Sequence, residues 1–146
     1  MALESISISD EVRAKLETAR VARLATVDFD GAPHIVPICF VFDGSVFYSG
    51  IDRKPKRVSP DRLARVRHTS KRPQVALLID EYDDDWTRLW YVLVRGNGEL
   101  VADPSERRRA VMELRAKYPQ YATGMLDDEA AILRITPQQI TSWGKI

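Results

Sequence analysis

The residues best suited to bind a ligand lie in one strongly basic stretch of this 146-residue chain. Residues 52–72 contain nine Lys or Arg and two acids. Lys54, Lys56 and Arg57 stand just before a Ser-Pro pair, which is typical of a helix N-cap and first helical residue. Helix N-termini carry unpaired N–H groups and attract phosphate, so this segment predicts a site for an anionic ligand. A solvated basic surface is the alternative, and a pI of about 7.9 together with the nearby acidic segment 80–85 argues against nucleic-acid binding.

Aromatic and strand residues form a second group of candidates. Trp86 and Trp90 would face the same side of an extended strand beside the acidic segment 80–85, which favours an interface or a planar ligand, with core packing as the alternative. Pro37 falls inside a strand pattern, so it is predicted at a sheet edge or at a bulge, with neighbouring backbone groups open to a ligand. His34 is a candidate polar contact there, or equally a half-exposed residue near a turn.

Several classes of chemistry lack their residues. Two histidines and one cysteine give no ligand set at metal spacing, and the acidic segment 80–85 lacks the EF-hand pattern, so it is predicted to be a solvated turn. G-x-S-x-G and P-loop sequences are absent, and Gly96-Asn97-Gly98 lacks the third glycine of a dinucleotide fingerprint. A single cysteine, no signal-peptide pattern and no 18-residue apolar run predict a cytoplasmic protein with no membrane partner.

The periodicity predicts one domain over residues 1–146. Helices are expected at 10–19, from 60 to about 69, and at 104–118, because each begins with a capping residue or proline. Strands are expected at 21–27, 34–42, 46–49, 74–80, 88–101 and 130–143, with Asp-Gly turns after the first two, a bulge near Gly96–Gly98 and an interruption at Pro137. This order predicts a mostly β fold, a six-stranded antiparallel barrel with flanking helices.

Several motifs point to a family. The run Ala22–Asp28 leads to Asp30-Gly31-x-Pro33-His34-x-Val36-Pro37-Ile38, and Lys54-Pro55-Lys56 and Asp85-Trp86-x-Arg88-Leu89-Trp90 follow. Together they resemble the pyridoxamine 5′-phosphate oxidase-like split β-barrel superfamily, known as the FMN-binding split barrel. More narrowly, the Lys-Pro-Lys and Asp-Trp…Leu-Trp motifs resemble its coenzyme F420 (deazaflavin)-dependent branch.

The resemblance implies a homodimer with the cofactor at the subunit interface. It assigns three groups of residues to that cofactor: Lys54, Lys56 and Arg57 to its phosphate or polyglutamate tail, His34, Val36, Pro37 and Ile38 to the deazaflavin ring, and Trp86 and Trp90 to a wall supplied by the partner chain.

The activity implied is hydride transfer between the deazaflavin and an electron-poor small organic substrate. Tyr48, His34 or water would supply any proton. Two alternatives remain open at this stage: an FMN-dependent oxidoreductase of the pyridoxamine 5′-phosphate oxidase type, and a non-catalytic protein of the same fold that binds a tetrapyrrole or another cofactor.

Overall fold

Two helix starts confirm the capping residues read from the sequence. The computed structural model describes residues 6–51 and 60–146. The first helix, α1 (Asp10–Thr18), begins after Ser9, whose side-chain oxygen accepts a hydrogen bond from the backbone N–H of Val12 at 3.1 Å. Asp103 caps a later helix, α3 (Pro104–Lys117), through a 3.1 Å bond from the Glu106 N–H. Each cap satisfies an N–H group that the helix itself leaves unpaired.

The described residues form seven strands and three α-helices. The remaining helix is α2 (Pro60–Lys71), and 3₁₀ turns occupy Trp86–Arg88 and Pro119–Thr123. The strands are β1 (Ala22–Val27), β2 (Pro33–Ile38), β3 (Val41–Phe42), β4 (Phe47–Gly50), β5 (Gln74–Glu81), β6 (Trp90–Leu100) and β7 (Ile132–Gly144).

All seven strands belong to one antiparallel sheet in the order β2-β1-β5-β6-β7-β4-β3. The two outermost strands, β2 and β3, are separated in the sequence only by Cys39 and Phe40. The three Cα–Cα steps from Ile38 to Val41 span at most about 11 Å, so the sheet must curl until its edges approach each other. The mostly β split barrel with flanking helices is thereby confirmed.

The strand count of seven differs from the predicted six because the expected strand 34–42 divides at Phe40. The Tyr118 hydroxyl accepts a hydrogen bond from the Phe40 N–H and donates to the Phe40 carbonyl, each at 3.0 Å. These bonds replace the partners that a strand ladder would give to Phe40, so β2 ends before it and β3 begins after it.

An irregularity near Gly96 is also confirmed, but the predicted interruption at Pro137 is wrong. β7 continues through Pro137 because the sheet absorbs it in a bulge: Gly96 faces Pro137, Arg95 faces Gln139, and Gln138 has no partner on β6. A Cβ on Gly96 would lie 2.1 Å from the Thr136 carbonyl oxygen, so only glycine fits there.

The core has two parts. The larger fills the inside of the curled sheet beneath α1, with fully buried Leu16, Leu24, Leu77 and Val92. The smaller lies between α3 and the β3–β4 hairpin and includes Leu114 and Tyr48. Within the described ranges, no helix combines the length and the apolar character that crossing a membrane requires.

Candidate cofactor site

Strand β2 presents the predicted ring-binding residues on two different faces. His34, Val36 and Ile38 alternate on the inner side, the first two half-buried and Ile38 buried. Pro37 points to the outer side and is exposed. Of the two positions predicted for Pro37, an edge or a bulge, the structure shows the edge, because β2 pairs only with β1 in the sheet as described. The structure therefore brings three of the four predicted side chains to one surface.

The outer edge of β2 leaves backbone groups open. A hydrogen bond from Asp28 N–H to the Ala32 carbonyl, 3.0 Å long, makes those two residues a bonded pair in the hairpin. Bonded and non-bonded pairs alternate along an antiparallel ladder, so residues 33, 35 and 37 direct their backbone groups away from β1. Pro33 and Pro37 have no N–H, which suits those positions. Ile35 is left with one N–H donor and one carbonyl acceptor facing outward.

A buried polar cluster lies behind the inner face of β2. The rings of His34 and His68 meet edge to face, with centroids 5.2 Å apart. The Nδ1 atom of His68 and the Oγ1 atom of Thr26 are 2.9 Å apart and hydrogen-bonded, and both residues are buried. Thr26 faces His34 directly across the β1–β2 ladder. The cluster fixes the depth and orientation of the His34 imidazole.

Helix α2 supplies the rest of this surface. Arg65, His68 and Thr69 are all buried, at the spacing of one helical face. Arg65 donates from its Nη2 to the Gly50 carbonyl at 3.2 Å, which ties the helix to the end of β4. We call the surface formed by Thr26, His34, Arg65 and His68 the polar end of the barrel.

Sequence reasoning missed Arg65 and His68 as parts of the site. The available signal was the spacing of Arg65, His68 and Thr69, which places three polar side chains on one face of a helix.

The predicted tail-binding residues Lys54, Lys56 and Arg57 lie outside the described residues. Their assignment to a phosphate or polyglutamate tail therefore stays a prediction. The sequence places Arg57 three residues before Pro60, where α2 begins.

Trp86 and Trp90 do not share one face of a strand, contrary to the sequence-based expectation. Asp85 accepts hydrogen bonds from the N–H and the hydroxyl of Thr87 and thereby starts a 3₁₀ turn that contains Trp86. Trp86 is 72% exposed. Trp90 opens β6, is only 6% exposed within the core, and donates from its indole nitrogen to Glu81 at 3.1 Å. The turn rotates the two rings into different environments.

Tyr48 is not placed to donate a proton to a ligand. It is buried, and its hydroxyl donates to a Glu106 carboxylate oxygen at 2.7 Å. Burial, with help from that bond, raises the pKa of Tyr48 to about 12. Burial also opposes ionisation of Glu106, but hydrogen bonds from Arg134 and Tyr48 outweigh it and lower the pKa of Glu106. The group is a structural link between β4, α3 and β7.

Metal-binding arrangements are not seen in the described ranges, where no three His, Cys, Asp or Glu side chains come together as they would around an ion. In the acidic segment, Asp83 and Asp85 accept local hydrogen bonds from backbone N–H groups instead.

The curled seven-stranded sheet and its edge-strand site define a split β-barrel, and family comparison agrees. The profile of the pyridoxamine 5′-phosphate oxidase family matches residues 8–144, nearly the whole chain. The chain belongs to that family. Among curated proteins, none matches significantly.

Solved structures show the same fold at low sequence identity. The conserved hypothetical protein Rv2991 from Mycobacterium tuberculosis is 22% identical, with a TM-score of 0.73 and coverage of 99% of this chain and 89% of the other. An F420 reductase is 24% identical, with a TM-score of 0.63 over 92% and 98%. The heme storage protein HutZ from Vibrio cholerae is 17% identical, with a TM-score of 0.70 over 96% of both chains.

Proposed function

We propose that this protein is a cytoplasmic, coenzyme F420-dependent reductase that transfers a hydride from the deazaflavin to an electron-poor small organic substrate. The observation that carries the proposal is the presence, in one fold, of an open edge strand, β2, and of a helix, α2, that follows a strongly basic segment. A planar ring with an imide edge needs backbone donors and acceptors, and an acidic tail needs clustered cations.

The described residues fit a ring of this kind. The Ile35 N–H and carbonyl face outward between two prolines, and can pair with an acceptor and a donor of an imide edge. His34 and Val36 supply half-buried polar and apolar contacts on the inner side of the same strand. The polar end holds His34 in place through His68 and Thr26. Such rigid support would keep the His34 side chain in the position in which it contacts the cofactor.

The cofactor would supply two-electron hydride chemistry, and the protein would position and desolvate it. The N-terminus of α2 would add partial positive charge beside Lys54, Lys56 and Arg57, which would hold the phosphate and the acidic tail. With Tyr48 committed to Glu106, His34 or water is left as the source of a proton among the groups considered.

We further propose that the active form is a homodimer that joins through the outer face of the sheet. Ile35 is 63% exposed, and it lies opposite Ala25, which in turn lies opposite Ala76 on β5. Small and apolar side chains across three adjacent strands make an uncovered apolar surface, which is typical of an interface. A second copy seated there would place its own residues beside β2 and close the ring site.

A flavin enzyme of the same fold is the second candidate, because the chain belongs to the pyridoxamine 5′-phosphate oxidase family. An FMN isoalloxazine has the same imide edge as a deazaflavin, so β2 would serve both. The difference lies in the tail. FMN carries one phosphate, whereas F420 carries a phosphate and several carboxylates, for which the four cations at positions 53, 54, 56 and 57 are better suited.

Calorimetric titration of the purified protein with oxidised and reduced F420, FMN and haem separates these candidates. We expect F420 to bind and FMN to bind more weakly. Lys54→Glu with Lys56→Glu should weaken F420 binding at least about 100-fold, since two charge-assisted contacts become repulsive. Lys145→Glu, a charge reversal at an exposed residue of the chain end, is the matched control and should leave affinity unchanged.

Other outcomes have defined meanings. Micromolar FMN binding without F420 binding would replace the deazaflavin proposal with the flavin candidate. Tight haem binding without reduction of any acceptor would favour a binding protein. Unchanged F420 affinity in the double lysine variant would mean that the basic segment is only a solvated surface.

A further inference from the structure

An open cavity of about 480 Å³ lies between α1, α3 and the end of β3. We call it the helix cavity. Its lining combines three apolar side chains, Val41, Phe42 and Ala116, with five charged ones from α1, α3 and the turn after β3. The lining shares no residue with the proposed F420 site or with the outer face of β1, β2 and β5 that is proposed for the dimer. A cavity of this size has room for a small organic ligand.

Three of the five charged groups have partners in the wall of the helix cavity. On α1, the Nε atom of Arg13 donates to a Glu17 carboxylate oxygen at 2.8 Å. In the turn after β3, one Asp43 carboxylate oxygen accepts hydrogen bonds from the backbone N–H groups of Ser45 and Val46 at 2.8 and 2.9 Å. These bonds hold two sides of the cavity in place without a ligand.

The other two charged groups, Glu113 and Lys117, lie one helical turn apart on α3 and have opposite signs. Their spacing is the one at which helical ion pairs form, yet no salt bridge joins them within the described residues. The Lys117 Nζ atom is buried without a hydrogen-bond acceptor and lies 4.0 Å from the centre of the Phe40 ring. Glu113 instead lies close enough to Asp43 to be repelled by it. Both groups therefore lack a counter-charge.

Burial disfavours the charged form of both groups. It lowers the pKa of Lys117 to about 8, and the charge of Arg20 adds to that shift. It raises the pKa of Glu113, with a further contribution from Asp43, and Arg109 opposes this rise without cancelling it. At pH 7 the lysine is still mainly protonated. A ligand that brought one charge of each sign would stabilise the ionised form of both groups.

We propose that the helix cavity binds a small zwitterion of the α-amino-acid class with an apolar side chain. The ammonium group of the ligand would pair with Glu113 and Asp43. Its carboxylate would pair with Lys117, whose flexible stem lets Nζ turn from the Phe40 ring toward the cavity. The apolar part of the lining would contact the side chain of the ligand. A ligand with a single charge would leave Glu113 or Lys117 unpaired, so tight binding requires both charges.

The test is calorimetric titration of the full chain with three matched probes. L-Leucine carries both charges, isoamylamine is leucine without the carboxylate, and 4-methylpentanoate is leucine without the ammonium group. We expect leucine to bind at least about tenfold more tightly than either analogue, since each analogue loses one charge-assisted contact.

Two variants assign the charges. Glu113→Gln should weaken leucine binding about tenfold and leave the affinity for 4-methylpentanoate unchanged. Lys117→Met should weaken leucine binding about tenfold and leave the affinity for isoamylamine unchanged, while it raises the temperature of thermal unfolding at pH 7. Opposite changes in binding and stability separate a ligand-binding lysine from a structural one. Glu11→Gln and Lys145→Met, at exposed residues outside the cavity, are the matched controls with no expected effect.

Three results would overturn the proposal: leucine binding no more tightly than both analogues, no binding of any probe, or an equal loss of affinity in the control variants. Lower stability of both Glu113→Gln and Lys117→Met would also overturn it, because the two charges would then pair with each other in solution. None of these results depends on whether F420 binds.

Discussion

The two ends of the barrel differ in charge and in how deeply their characteristic side chains are buried. At the polar end, Arg65, His68 and Thr26 are buried and hydrogen-bonded, and an open strand edge lies in front of them. At the opposite end, which we call the acidic end after Asp80 and Glu81, the rings of Tyr91 and Trp143 stack on the surface. The net charge of +1 conceals this, because the basic and acidic stretches of the sequence lead to different ends of one sheet. The comparison teaches that net charge averages over sites that act separately.

The largest expected effect separates the two tryptophans that follow the acidic segment 80–85, Trp86 and Trp90. Trp90→Ala should destabilise the protein by about 3–5 kcal/mol, because it leaves a cavity in the core. Trp86→Ala, at an exposed ring, should change stability by less than about 0.5 kcal/mol. Urea unfolding of both variants measures the difference. Equal losses would mean that Trp86 packs against a surface in solution.

A smaller effect is expected at the polar end. Thr26→Val keeps the shape of the side chain but removes the bond between Thr26 Oγ1 and His68 Nδ1. A buried imidazole nitrogen would then lack its partner, at a cost of about 1–2 kcal/mol. Chemical denaturation gives the stability, and the F420 titration shows whether the His34 contact moves with it. A stable variant with unchanged binding would show that water replaces the lost hydroxyl.

Lys117 provides a pH-dependent test near the start of β1. Burial, together with the neighbouring Arg20 charge, lowers the pKa of Lys117 from 10.5 to about 8. The folded protein thus binds this proton less tightly than the unfolded chain does. The charged lysine costs stability below pH 8, and the cost fades between pH 8 and 10.5.

Lys117→Met should therefore stabilise the protein by about 1 kcal/mol at pH 7, after allowance for solvent screening, and by little near pH 10.5. Thermal unfolding across that range measures the change. Loss of stability at pH 7 would show instead that contact of the ammonium with the Phe40 ring, 4.0 Å from Nζ to its centre, outweighs burial.

The smallest effect concerns the exposed pair of Arg23 and Asp80. Arg23→Gln should alter stability by less than about 0.5 kcal/mol, because both side chains are about 40% exposed to solvent. Chemical denaturation measures the change, and a loss above about 1 kcal/mol would mean that the pair contributes more than its exposure implies.

Local signals in the sequence were sufficient for most of the fold. Ser9 and Asp103 cap the helices that they predict, and Gly31 and Gly44 adopt positive φ in the turns that their Asp-Gly pairs predict. The break at Phe40 was beyond such signals, because its cause is Tyr118, 78 residues away in the sequence.

The candidate site and the aromatic pair were less predictable, because each depends on residues that are distant in sequence. His34 and His68 meet only when α2 packs behind β2, and Tyr91 and Trp143 meet only through the register of β6 and β7. The sequence predicted an aromatic surface beside the acidic segment at Trp86 and Trp90, whereas the stacked pair is Tyr91 and Trp143. The 3₁₀ turn capped by Asp85 is what separates those two rings.

The bulge at Gln138 decides on which side of the sheet Trp143 lies. Alternate residues of a strand face opposite sides, and Leu133 and Ile135 face the core. Without an extra residue in β7, every odd-numbered side chain from 133 to 143 would face the core. The indole of Trp143 would then lie in the interior. Gln138 reverses the phase, so Ile140 faces the core and Trp143 faces outward to stack on Tyr91. Deletion of Gln138 would thus turn Trp143 from the surface into a core that has no room for it. The stacked surface pair of Tyr91 and Trp143 exists because β7 contains one extra residue.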